Sequence, residues 1–160
     1  MLVPQLRPNC DGLDVALVHG GTSSRGRKAF LPAGHCLTRA RSRHLGESDW
    51  VIVKHGCVPV GLAAYKQADS NVRVVHELLV DRTLPVSDAA RVTDALIVAL
   101  EMVTCGEGVD CLMFLVYGEV MMVRFEAHGY GVIVADRCGA WVQKKLDGIA
   151  WAHHWSGRPC

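Results

Sequence analysis

The fold is most tightly restricted by the run Val72-Arg73-Val74-Val75-His76-Glu77-Leu78-Leu79-Val80-Asp81 together with the turn and helix directly behind it. The β-branched and aliphatic residues of the run predict a buried central strand. Arg82-Thr83-Leu84-Pro85 breaks that pattern with a proline turn, and Ser87 is a good helix N-cap. Val92, Ala95, Leu96, Ala99, Leu100 and Val103 then recur at helical spacing and predict a helix with one apolar stripe. A strand, a loop and a helix N-terminus in that order can hold an anion, very often a phosphate, on backbone N–H groups and the helix dipole. The same order is also an ordinary strand–helix unit of any α/β core, and local pattern does not separate the two.

Before this unit, residues 1–13 carry two prolines and a glycine and read as an irregular lead-in. Asp14–His19 reads as a short first strand. From Thr22 to Arg43 the chain holds Arg25, Arg27, Lys28, Arg39, Arg41 and Arg43 with no acidic residue. That run is either a solvated loop or an electropositive wall beside an anionic ligand. Trp50–Lys54 and Val58–Tyr65 have hairpin spacing across His55-Gly56-Cys57, and Gly61 inside the second strand predicts a bulge or a close backbone approach. After the long helix, Gly106-Glu107-Gly108 is a stop signal. Asp110–Tyr117 is a continuous apolar run that predicts a buried strand parallel to the central one. Glu119–His128 predicts a second helix closed by Gly129, and Tyr130–Ala135 with Ala140–Lys144 predicts a final hairpin.

The chain has 160 residues, half of them hydrophobic, with a net charge of +1. That length suffices for one domain with its own core. The near-zero charge disfavours general nucleic-acid binding, and no apolar stretch reaches membrane-spanning length. The seven cysteines form no C-x-x-C and sit mostly in apolar runs, which fits a reducing compartment, with the cytoplasm as default. His153, His154 and Cys160 match no usual zinc spacing, so no metal is expected. Trp151 and Trp155 would anchor the 147–160 tail on the domain or in a homodimer contact.

The element order resembles that of the GNAT superfamily of acyl-CoA-dependent N-acetyltransferases over Asp49 to Leu146. Glu77-Leu78-Leu79-Val80 resembles that family's fourth strand, where backbone groups pair with the pantetheine arm. Ala95–Leu100 is similar to the body of its cofactor helix. Phe125-Glu126-Ala127-His128-Gly129-Tyr130 is similar to its "Tyr-Glu-x-x-Gly-Phe" turn, and Gln143-Lys144-Lys145-Leu146 to the end of its last hairpin. The resemblance implies a single α/β (α+β) domain with a mixed, mostly antiparallel sheet flanked by helices and ending in a hairpin. Val72–Asp81 and Cys111–Val116 should be adjacent, parallel and splayed at their C-terminal ends. Two positions depart from the pattern. Asp88-Ala89-Ala90-Arg91-Val92-Thr93 stands where the family has a glycine-bearing phosphate loop, and Phe125 stands where it often has a proton-donating tyrosine.

The resemblance implies acetyl-CoA, or another acyl-CoA, as cofactor, weakly bound, and a small-molecule or peptide amine as acceptor. Glu77 is the candidate base, acting directly or through water. Tyr117, at the end of the parallel strand, is an alternative proton donor. Leu79, Val80, Asp81, Arg82, Arg91, Val92 and Thr93 are the candidate cofactor-binding residues: Leu79 by its backbone, the arginines by a clamp that replaces lost amide contacts. The alternative is a GNAT-like binding or regulatory domain without catalysis. A nucleic-acid-binding role for the Arg25–Arg43 segment is the weakest reading.

Overall fold

A computed structural model of the protein describes residues 6–9, 12–20, 28–36, 38, 43 and 45–146. The expectations for Trp151, Trp155 and the histidines of the tail, and for Arg25, Arg27, Arg39 and Arg41, lie outside these residues. The elements are β1 (Leu6–Asn9), β2 (Leu13–Val18), β3 (Asp49–His55), β4 (Val58–Asp69), β5 (Val72–Val80), α1 (Val86–Gly106), β6 (Cys111–Val116), α2 (Glu119–Ala127), β7 (Gly131–Ala135) and β8 (Ala140–Lys145). Among the described residues the strands take the order β1-β2-β3-β4-β5-β6-β8-β7 in one eight-stranded sheet. Pairing is antiparallel in β1–β2, β2–β3, β3–β4, β6–β8 and β7–β8, and parallel in β5–β6. This is the mixed, mostly antiparallel α/β sheet read from the sequence.

One part of the lead-in reads differently. Leu6–Asn9 is a strand, paired with β2, where proline and glycine content predicted irregular chain. The position explains it: β1 is the edge of the sheet, where a proline such as Pro8 is tolerated.

Two compact units separate, with breaks after Tyr65, His76 and Leu100. In the first, β3, β4 and the end of β5 bury Trp50, Ile52, Leu62, Ala64 and Leu79 with Leu45. Phe30, Leu31 and Val18 pack against this cluster, and the Trp50 indole donates to the Leu45 carbonyl at 2.9 Å. Gly56 makes the β3–β4 turn at φ 60. Both expectations for Gly61 hold: the register of β3–β4 shifts beside it, and an added Cβ would lie 2.5 Å from Val92 Cγ1 and 3.1 Å from Leu96 Cδ1. The absence of a side chain lets α1 lie directly on β4. Gly61→Val should therefore lower the unfolding free energy by about 1–3 kcal/mol through overpacking. A urea-midpoint shift at unchanged slope would record it.

In the second unit, β5 and β6 pair from Val72/Cys111 to Val75/Phe114, and the ladder ends there. β6 continues the sheet through β8 to β7. Phe125 of α2 lies against Phe114 and Tyr130, with ring centroids 4.6 and 5.3 Å away. Arg73 of β5 is a charged residue that is only 2% exposed. Its guanidinium reaches the Thr104 hydroxyl at 3.3 Å and the Glu107 carboxylate.

Candidate functional site

The candidate residues from Glu77 to Thr93 lie on the last residues of β5, the turn after it and the start of α1. The turn is built by Asp81, which is 7% exposed. Its Oδ1 accepts the Thr83 N–H at 2.8 Å and the Thr83 hydroxyl at 2.6 Å, closing a side-chain-stabilised turn. Asp81 therefore shapes the loop with the carboxylate that a ligand would otherwise meet.

The helix begins earlier than Ser87 suggests. Its first bond runs from the Ala89 N–H to the Pro85 carbonyl at 2.9 Å, and Val86 is its first residue. Proline has its φ preset for a helix start and has no N–H to leave unpaired, so the helix forms directly behind it. As a result Ser87 is inside the first turn. The backbone N–H groups left without a helical acceptor are those of Val86, Ser87 and Asp88. Val92 and Thr93 sit a turn further on, where backbone N–H groups are bonded within the helix. Both are buried, and the Thr93 hydroxyl donates to the Ala89 carbonyl at 2.9 Å.

A groove of about 260 Å³ opens beside this helix start. Leu13, Val60, Leu84 and Val92 make its apolar wall, and Asp88, Arg91 and His55 its polar rim. Arg91 is an exposed side chain whose guanidinium is 3.7 Å from the Asp88 carboxylate, so the two groups share the rim as an ion pair. The pair lowers the local positive field that an anion would meet.

At the end of β5 the Asp81 N–H donates to the Val60 carbonyl of β4 at 2.9 Å. Strand alternation then turns the backbone groups of Val80 and Arg82 to the other edge, with Leu78. The Leu79 backbone falls on the β4 side by the same alternation, and its side chain is 5% exposed in the core cluster. Val80 and Arg82 meet two groups from a distant segment. His35 Nε2 lies 2.7 Å from the Val80 carbonyl, and the Arg82 N–H donates to the Ala33 carbonyl at 3.1 Å. Sequence reasoning missed both Ala33 and His35. The available signal was weak: Pro32 and Gly34 bracketing Ala33 inside the basic run.

Glu77 is half-buried in mid-strand. Tyr117 stands just past the last residue of β6 and is 59% exposed. Its ring lies over Gly139, where an added Cβ would fall 2.9 Å from Tyr117 Cδ1. Tyr130 is the other tyrosine of that unit near the turn after α2. Burial first, and the Glu101 carboxylate second, push its phenol far above the usual range. It stays neutral and enclosed, which leaves Tyr117 as the accessible phenol of that unit among the described residues. No helix among the described residues is long and apolar enough to cross a membrane.

No protein-family model matches the sequence. No curated protein is similar to it at the level of sequence. Solved structures match the fold. A GNAT family acetyltransferase from Elizabethkingia anophelis with acetyl-CoA bound superposes with a TM-score of 0.64 at 9% identity, covering 86% of this chain and 99% of that one. The IAA acetyltransferase from Bacillus cereus gives 0.63 at 10% identity, covering 84% and 99%. The PaiA N-acetyltransferase from Thermoplasma acidophilum in complex with coenzyme A gives 0.52 at 14% identity, covering 60% of this chain and 59% of that one. This chain thus spans less than two thirds of the Thermoplasma protein.

Proposed function

We propose that this chain, which has the GNAT fold, is an acyl-CoA-dependent N-acyltransferase that acts on an amine of a small molecule or peptide. The observation that carries the reading is the end of β5. Its pairing with β6 stops at Val75, and Val80 turns its backbone to the edge away from β4. The helix start at Val86 comes one short turn later. A strand edge for amide pairing next to unbonded helix N–H groups suits a ligand with an amide-bearing arm and a pyrophosphate. Structures of the same fold with coenzyme A or acetyl-CoA bound support the same ligand class.

Acyl-CoA would supply an activated thioester carbonyl. Glu77 would take the proton of the acceptor ammonium, directly or through one water. A β5 backbone N–H on the Leu78/Val80 edge would meet the carbonyl oxygen as it gains charge. Tyr117, an exposed phenol of the second unit, is the alternative proton donor that the family resemblance suggests. Arg82 and Arg91 would meet phosphate oxygens, with Arg91 first released from Asp88. Asp81, Val92 and Thr93 would act by holding the loop and helix start in place. The test is thiol release from acetyl-CoA across a panel of amines and peptide amines. Amine-dependent release supports the proposal, and none above the amine-free rate opposes it.

A second reading, a GNAT-like binding or regulatory domain without turnover, is favoured by two features. Asp88 places a carboxylate among the unbonded amides of the helix start, and Phe125, 1% exposed, fills a core position where a proton donor would stand. The rim pair separates cofactor binding from its loss. Arg91→Ala should weaken acetyl-CoA binding about tenfold, the scale of one charge-assisted hydrogen bond. Asp88→Asn, which removes the carboxylate beside Arg91 and a like charge at the helix start, should tighten it. Calorimetry on both variants reads these shifts, and equal affinities would remove Arg91 from the site.

A further inference from the structure

We propose that Ala33-Gly34-His35 is an internal strap: it occupies the free edge of β5 at Val80 and Arg82, and acyl-CoA binds there by displacing it. This rests on the cofactor reading and adds a gate to it. The edge is fixed by the Asp81 N–H, which donates to Val60 of β4 at 2.9 Å. The Val80 carbonyl and the Arg82 N–H therefore point away from β4 together. His35 Nε2 meets the first at 2.7 Å and the Ala33 carbonyl the second at 3.1 Å. A donor and an acceptor two residues apart on the strap thus take an acceptor and a donor two residues apart on the strand. A pantetheine arm, with amide N–H and C=O groups of its own, would seek the same pair.

Three features make the strap fitted yet easily displaced. Gly34 has φ +81, and an added Cβ would fall 2.8 Å from the Arg82 Cβ, so only glycine lets the strap lie this close. A carbonyl can only accept, so the Nε2 of His35 donates to Val80, and its Nδ1 is a polar atom left over. That Nδ1 is buried with no hydrogen-bond partner among the described residues. An unsatisfied buried polar atom disfavours the docked strap, so a ligand has less to overcome. The chain just before the strap is held in the first unit: Phe30 meets the Trp50 indole edge-on at 6.4 Å, and Pro32 is buried.

The test is calorimetric titration of acetyl-CoA into the full chain and three variants. His35→Ala removes the bond to Val80 and should bind about fivefold tighter, the scale of one net hydrogen bond. His35→Gln keeps a donor and should bind like the parent. Gly34→Ala pushes the strap off through Arg82 and should also bind tighter, which covers the case where His35→Ala does not fold. If the parent binds and both strap-loosening variants bind equally or more weakly, the strap is overturned while the cofactor reading stands. If neither parent nor variants bind at millimolar acetyl-CoA, the cofactor reading falls and the strap with it.

Discussion

Lys144→Met is expected to lower the unfolding free energy by about 2–4 kcal/mol, because it strands a carboxylate in the interior. Glu101 of α1 is 2% exposed, and its Oε1 lies 3.0 Å from the Lys144 ammonium of β8. The same ammonium sits 5.6 Å from the Tyr130 ring centroid. The neighbouring phenol is pushed up first by burial, which marks the surroundings as poorly solvated. Lys144 keeps 27% side-chain exposure, so the loss lies toward the low end for breaking a buried pair. The double variant Glu101→Leu/Lys144→Met should recover most of the loss, since two apolar groups need no partner. Urea unfolding of the three proteins reads the outcome. A single-variant loss no larger than that of a surface ion pair, under about 1 kcal/mol, would show that Glu101 is solvated after all.

The second large effect falls on turnover. Glu77→Gln should reduce kcat by about 10²–10⁴-fold, the usual contribution of a positioned base, with the KM for acetyl-CoA little changed. Glutamine keeps the shape and removes the carboxylate that the proposed base role requires. The deficit should shrink as pH rises toward the acceptor's own pKa, where the amine arrives already deprotonated. Steady-state thiol release as a function of pH distinguishes this from a packing effect, which would not depend on the acceptor's charge. Activity within a few-fold of the parent at neutral pH would remove Glu77 from the chemistry.

How far the sequence can be read depends on the range of each interaction. β5, the α1 stripe, β6 and the final hairpin are written in local periodicity, so they stand where the pattern puts them. Gly61 is legible for the same reason, as a missing side chain inside an apolar strand. The start of α1 lies earlier than the sequence suggests, because Ser87 is a good cap by type while Pro85 decides by geometry. Leu6–Asn9 looks irregular because a proline counts against a strand except at an edge, and edges belong to the sheet, not to the segment. The long-range contacts of the candidate site and the second core leave almost no local mark in the sequence. His35 reaches Val80 across 45 positions, and Lys144 reaches Glu101 across 43. Periodicity carries no information at that separation. Asp81 reads as a cofactor-binding residue by resemblance, and its spacing to Thr83 is the one local sign that it also closes a turn.

The most direct measurement is a titration of the ¹⁵N-labelled chain with acetyl-CoA, monitored by amide shifts. Saturable binding is predicted, with the largest shifts at Leu78, Val80 and Arg82 on the β5 edge and at Val86, Ser87 and Asp88 at the helix start. His35 and Gly34 should shift in step as the strap leaves. Absence of binding at millimolar acetyl-CoA, or saturable binding whose shifts cluster away from the end of β5, would contradict the assignment of this edge and helix start as the acyl-CoA site.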